Sequence, residues 1–263
     1  APPQRIVSLA ASNTEILFAI GAGDRLVGRD ELSDYPAEAL NVASIGSLYP
    51  TVNAEISVAL EPDLVLAAGI TNPDDVVALS QLGLTVYATN RASNLDDIYT
   101  DILAVGVLTG ESATAQAVVN NMQAHVRAVE NLTSKVNDRP TVYYELDATD
   151  PSKPWTSGPN SLIDLLITTA GGVNVGAASK EAYWQISLEE LVHQDPQIIV
   201  LGSSKYGGQT PALVEARPGW GQISAVTTQN IHVFDDNLVS RPGPRLVQGL
   251  EALAIIIHPE LPQ

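Results

Sequence analysis

The chain contains no cysteine, one methionine, thirteen aromatic residues and only thirteen lysines and arginines among its 263 residues. Without cysteine it forms no disulfide, no thiolate zinc site, no iron–sulfur site and no cysteine nucleophile. The shortage of positive charge is as restrictive. Thirty Asp and Glu set the formal net charge at −17 and the isoelectric point near 4.4, so the averaged field repels phosphate backbones and no nucleic-acid partner is expected. The longest apolar runs, such as Ala252 to Ile257, fall far short of the ~18–20 residues that span a bilayer. The four histidines, His125, His193, His232 and His258, form no HxxxH, HExxH or HxH pattern, so a zinc or manganese site built on imidazoles has no support. There is no G-x-S-x-G, P-loop or G-x-G-x-x-G, and with the histidines dispersed no nucleophile–base pair emerges; an enzyme is not expected.

What is present is a repeating alternation of strand and helix. Arg5 to Ala10 reads as a short strand, Ser12-Asn13-Thr14-Glu15 as cap residues of a helix through Ile16-Leu17-Phe18-Ile20, and Gly21 and Gly23 as its stop. Ala54 to Leu60 reads as a helix closed by Pro62. Leu64 to Ala68 follows as a continuous apolar run of the kind a buried parallel strand requires. Residues 73–83 and 84–89 repeat helix then strand. From Glu111 to about Val136 there is neither Pro nor Gly, and Ala115, Val118, Val119, Met122, Val126, Val129, Leu132 and Val136 recur at three- and four-residue steps. That periodicity predicts one amphipathic helix about 39 Å long, longer than a strand-to-strand crossover needs. After it, Thr141 to Leu146 and Gln197 to Leu201 read as strands, and 160–170, 188–193 and 246–257 as helices.

The two halves echo each other. Glu55-Ile56-Ser57-Val58-Ala59-Leu60-Glu61-Pro62 before Asp63-Leu64-Val65-Leu66 parallels Glu189-Glu190-Leu191-Val192-His193-Gln194-Asp195-Pro196 before Gln197-Ile198-Ile199-Val200. The expected architecture is therefore two Rossmann-like α/β lobes, 1–110 and 138–263, joined by a single long rigid helix over 111–137, with the ligand cleft between the lobes.

Aromatic residues stand near turns although they are few: Tyr35 and Tyr49 beside prolines, Trp155 after Pro154, the adjacent Tyr183 and Trp184, and Tyr206 before Gly207-Gly208. Rings on loops bury large apolar area at low entropic cost and suit a large flat ligand. Arg241-Pro242-Gly243-Pro244-Arg245 is a stiff turn leading into the last helix, where Arg241 is a candidate for a polar group of the ligand. Ser12, Asn13 and Asn72 are further polar candidates.

Five segments, in order along the chain, carry a resemblance. They are Arg5-Ile6-Val7-Ser8-Leu9-Ala10-Ala11-Ser12-Asn13-Thr14-Glu15; Tyr35-Pro36 with Glu38-Ala39; Leu60-Glu61-Pro62-Asp63-Leu64-Val65; Gln185-Ile186-Ser187-Leu188-Glu189; and Arg241-Pro242-Gly243-Pro244-Arg245-Leu246-Val247 with His258-Pro259-Glu260. Together they resemble the class III substrate-binding proteins of ABC importers for cobalamin, heme and iron–siderophores, and the first and last segments most resemble the cobalamin branch. The resemblance implies an extracytoplasmic monomer, periplasmic or lipid-anchored, with no cofactor of its own. Such a protein captures a corrinoid, cobalamin or cobinamide, and delivers it to the membrane permease of an importer. A start at Ala1-Pro2-Pro3 without Met agrees with removal of a leader. Heme is the alternative ligand, with Tyr49 in Gly46-Ser47-Leu48-Tyr49 as the nearest counterpart of the family's iron-ligating tyrosine, displaced by about two positions from its usual Gly-Tyr, and an iron–siderophore comes third. Heme propionates favour Arg or Lys, whereas a corrin periphery is mostly neutral amides, and the candidate cations are only Arg29, Arg91, Lys205 and Arg241. The family docks on its permease through a carboxylate on each lobe, for which the positional matches are Asp74 or Asp75 and Glu189.

Overall fold

The computed structural model describes residues 1–261, which fall into two compact units: Ala1–Gln123 with Arg241–Pro244, and Ala124–Ser240 with Arg245 onward. In the first unit, β1 (Ile6–Ser8), β2 (Leu26–Arg29), β3 (Leu64–Ala67) and β4 (Val86–Ala88) form a parallel sheet in the order β2-β1-β3-β4. Strands β1 and β3 are buried along their whole length, as their unbroken apolar character requires. Helices α1 (Ala11–Ala19), α2 (Ala54–Ala59), α3 (Pro73–Gln81) and α4 (Leu95–Thr109) follow the strands, and Val7, Leu9, Ile45, Val65 and Leu79 lie in one buried apolar cluster.

Helix α1 begins earlier than its polar run suggests. Its N-cap is Ala10, which makes no side-chain hydrogen bond, so Ser12, Asn13 and Thr14 lie inside the first turns instead of capping them. The chain turns from β1 into α1 within two residues, which buries these side chains against the strands. Helix α4 is an addition to the elements expected from sequence, although Asn94 accepts from the Asp97 amide at 2.9 Å at its start and Gly110 closes it at φ 77°.

Helix α5 runs over Ser112–Thr133, 22 residues, stopping short of Val136. The next amides, of Lys135 and Val136, bond back three residues to Leu132 and Thr133, so the helix tightens and ends. Its first part buries Ala115, Val119 and Met122, and its last part buries Val126 and Val129.

In the second unit, β5 (Thr141–Asp147), β6 (Trp155–Ser157), β7 (Val173–Asn174), β8 (Tyr183–Gln185), β9 (Ile198–Leu201) and β10 (Ile231–Val233) form a sheet in the order β10-β9-β5-β6-β8, with β7 also on β5. Strands β5, β7, β9 and β10 are parallel, while β6 runs antiparallel to β5 and β8. Trp155, Tyr183 and Trp184, expected on loops, are therefore strand residues. Three-residue strands are too short to show the period of two that reveals longer ones. Helices α6 (Leu162–Thr169), α7 (Leu188–Gln194), α8 (Ser204–Gly207), α9 (Pro211–Glu215), α10 (Ser224–Thr227), α11 (Asn237–Ser240) and α12 (Leu246–Ile257) complete the unit. Its core holds Tyr143, Ile199, Leu201, Val214 and Trp220.

The echo between the halves extends to backbone conformation. Glu61 and Asp195, each between a helix and the proline that precedes a strand, both lie in the left-handed region, at φ 47° and 43°. A following proline disfavours the right-handed helical conformation, and the left-handed residue ends the helix one step earlier. Asp195 also accepts from the amide and hydroxyl of Ser224, at 2.7 and 2.8 Å, and these bonds hold its carboxyl below the ordinary carboxylate range. A depressed pKa contributes stability above the unfolded value and loses it as pH falls through the folded one. Asp195→Asn, which keeps tolerance for the left-handed conformation, is expected to lower the urea midpoint at pH 7. The gap to the parent should narrow by pH 3; an equal gap at both pH values would refute this account.

Candidate functional site

Parallel strands send their following loops to one edge of a sheet, and that edge carries the exposed rings of Tyr35 and Tyr49 in the first unit and of Trp155 and Tyr206 in the second. In the first unit, the segment after β2 is extended by residues 43–46, which lie alongside it: the Ile45 amide donates to the Arg29 carbonyl at 2.8 Å and the Glu31 amide to the Gly46 carbonyl at 3.1 Å. Tyr49 follows directly and is 87% exposed. Asp75, in the first turn of α3, steadies the loop by accepting from the Thr51 hydroxyl and, at 3.2 Å, from the Val52 amide. Ile70, 79% exposed in the loop after β3, and Leu32 and Tyr35 after β2 add apolar surface to the same edge. Gly69 lets that loop approach its neighbour: a Cβ there would lie 2.3 Å from the Arg91 amide nitrogen.

Several of the polar candidates serve the fold. Asn13 is fully buried and donates to the Ala67 carbonyl at the end of β3, at 2.9 Å. Ser12 is buried beside it in α1. Asn72 is exposed, and its side-chain oxygen caps α3 by accepting from the Asp74 amide at 3.0 Å. Arg241 is buried and held at 3.1 Å by Glu15, at 2.7 Å by Asp34 and at 2.9 Å by the Leu32 carbonyl. Burial opposes its charge, but the two carboxylates outweigh that and hold its pKa above the ordinary value. Arg29 is likewise buried, donating to the Ala39 and Asp30 carbonyls at 2.9 and 3.0 Å. Burial pushes the neighbouring Asp30 carboxyl up, against bonds from Ser33 and the Leu32 amide.

In the second unit, Asp147 pairs with Trp155, so this ring lies at the carboxyl end of β5. Tyr206 follows β9 at the same edge, 61% exposed, with its hydroxyl 3.1 Å from Asn237. Tyr183 is half-exposed at the start of β8, opposite Ser157 and so at the end of the β6–β8 pair away from Trp155, and the Trp184 indole is half-buried, donating to the Gly176 carbonyl at 2.9 Å. Lys205 lies 3.7 Å from Asp235. Glu189 is exposed in the first turn of α7, as Asp74 is in α3, whereas Asp75 is buried. Sequence reasoning missed the apolar Leu32 and Ile70; an isoleucine inside the turn-forming run Gly69-Ile70-Thr71-Asn72-Pro73 was the available signal. It also missed a buried ion pair, Glu145 with Arg217, whose partners lie 72 residues apart.

Two α/β units, each presenting aromatic and apolar side chains at the carboxyl edge of its sheet, describe a binding scaffold. The chain belongs to the periplasmic binding protein family, whose model matches residues 6–238. It is 32% identical over 263 residues to an uncharacterized ABC transporter substrate-binding lipoprotein, YvrC, of Bacillus subtilis, covering 98% of this chain and 81% of that one. It is 30% identical over 254 residues to the vitamin B12-binding protein of Vibrio cholerae, covering 95% and 87%. The periplasmic heme-binding protein RhuT from Roseiflexus, in apo form, superposes with a TM-score of 0.88 at 26% identity, covering 97% and 98%. The chain is thus a substrate-binding protein of the ABC-transporter type and not an enzyme.

The contrast between Asp74 and Asp75 is measurable. Asp75→Ala leaves the buried Val52 amide without its acceptor and is expected to cost about 1–3 kcal/mol in chemical denaturation. Asp74→Ala, at an exposed position, should stay within about 0.5 kcal/mol of the parent. Equal effects would show that Asp75 does not anchor the loop.

Proposed function

We propose that this protein captures a corrinoid, cobalamin or cobinamide, outside the cytoplasm and delivers it to the permease of an ABC importer. The observation that carries this reading is where the cations go. Of the four basic side chains that a propionate-bearing ligand would recruit, Arg29 and Arg241 are buried and spent on internal acceptors, and Lys205 is paired with Asp235. Arg91 is exposed. A corrin periphery of neutral amides asks for rings and neutral polar groups, which Tyr49, Trp155 and Tyr206 supply with their exposed faces. The similarity to a vitamin B12-binding protein supports the same choice.

Heme is the second reading, favoured by the fully presented ring of Tyr49 and by the likeness to a heme-binding protein. In that case Tyr49 is the iron ligand. For delivery, Asp74 and Glu189 are the two exposed carboxylates proposed to meet arginines of the permease; the buried Asp75 is not available for that role.

Parallel titrations with cyanocobalamin, cobinamide and hemin, read by tryptophan emission and visible absorption, test the ligand. Saturable quenching by a corrinoid with no stoichiometric hemin complex is expected. A stoichiometric hemin spectrum with a tyrosinate charge-transfer band, lost in Tyr49→Phe, would overturn the corrinoid reading. Lysine at both Asp74 and Glu189 is expected to abolish uptake of labelled cobalamin in cells while leaving corrinoid affinity unchanged; undiminished uptake would remove these residues from the docking surface.

A further inference from the structure

The 202–210 segment that presents Tyr206 is tied down more densely than an exposed surface turn requires. At its start, the Ser203 amide donates to the Glu145 carbonyl at 3.0 Å and the Ser203 hydroxyl to the Glu145 carboxylate at 2.8 Å. Next, the Ser204 hydroxyl donates to the Phe234 carbonyl at 3.2 Å and Lys205 faces Asp235. At its far end, Gln209 accepts from Arg217 at 2.8 Å. Gly202 makes the close fit possible, since a Cβ there would lie 2.5 Å from the Tyr144 ring.

Both ends of the segment thus converge on one buried pair. Glu145 is fully buried and Arg217 nearly so. Their bidentate contact measures 2.6 and 2.9 Å, and the guanidinium stacks over Trp220 at 4.4 Å. A buried ion pair adds little net stability compared with apolar residues of similar volume, because desolvation offsets the attraction. What it does supply is fixed planar geometry, and here that geometry grips the two ends of a turn whose middle holds an exposed ring.

We propose that Glu145 and Arg217 are positioning residues for ligand capture, holding the 202–210 shelf so that Tyr206 stands in its ligand-contacting orientation before the ligand arrives. The inference rests on the reading that Tyr206 touches the ligand. A shelf that spends only part of its time in the competent shape weakens apparent affinity by that fraction, even though the bound ligand meets the same side chains.

A double-mutant cycle tests this by equilibrium dialysis of cyanocobalamin against the full chain, with thermal midpoints recorded alongside. Tyr206→Ala is expected to weaken binding about fivefold or more. Arg217→Met is expected to weaken it about threefold to fivefold in the parent, no more than loss of the ring itself, but less than about twofold on top of Tyr206→Ala, because it acts through that ring. A merely structural role would lower the thermal midpoint and weaken binding by the same factor in both backgrounds, and that outcome overturns the inference alone. If Arg217→Met does not fold, Ser203→Ala, which cuts the tie and keeps the pair, takes its place in the cycle with the same expectation. No effect of Tyr206→Ala would sink the contact reading, and the inference with it. Should hemin and not cyanocobalamin be retained by the parent, the ligand reading fails, and the same cycle on hemin decides the inference.

Discussion

Parallel hydrogen bonding between strands is the constraint on which everything else here depends. Strands that share a direction must be joined by crossovers, and every crossover leaves from the same edge of the sheet. In the first unit this collects the loops after β1, β2, β3 and β4, and in the second those after β5, β9 and β10. The interior strands are spent on packing, so chemistry is confined to these edges. The antiparallel β6 obeys the same geometry in reverse, since it starts where β5 ends and so brings Trp155 to the loop edge.

Charge at those edges is largely turned inward. In a chain with more than twice as many carboxylates as cations, Arg241 and Arg217 are each held by carboxylates, and Arg29 is spent on backbone carbonyls. Arg241 with Glu15 and Asp34, and Arg217 with Glu145, are buried instances among the described residues, one in each unit. Each joins elements distant in sequence and fixes the base of a loop. The apolar rings are left as the side chains these loops present, so recognition by shape and area is favoured over recognition by charge.

Most of the fold was legible in the residues, because periodicity and punctuation were strong where elements were long or fully buried. Helix α12 matches its expected range, and the helix–proline–strand units around Pro62 and Pro196 are present in both halves. What escaped was whatever depended on partners remote in the chain. Ser12 and Asn13 carry the composition of a helix cap, yet the tight turn from β1 buries them, which only the position of β3 could reveal. Strands β6 and β8 are three residues each and owe their existence to pairing with each other and with β5. Arg241 stands out as a ligand group because its flanking prolines are visible in sequence, whereas its partners Glu15 and Asp34, more than 200 residues away, are not. The exposed rings were recognisable as a set, since aromatic residues are too scarce in this chain to be scattered on its turns without consequence.

The sulfur content acquires a further meaning once the fold is known. The lone methionine, Met122, sits on the inward face of α5 with about 1% of its surface exposed, and there is no thiol anywhere in the chain. The folded protein therefore offers peroxide no thioether or thiolate within reach, and the ladder from sulfenic acid to sulfonic acid has no first rung. A molecule so built keeps its fold chemically unaltered by mild oxidants that would modify an exposed sulfur.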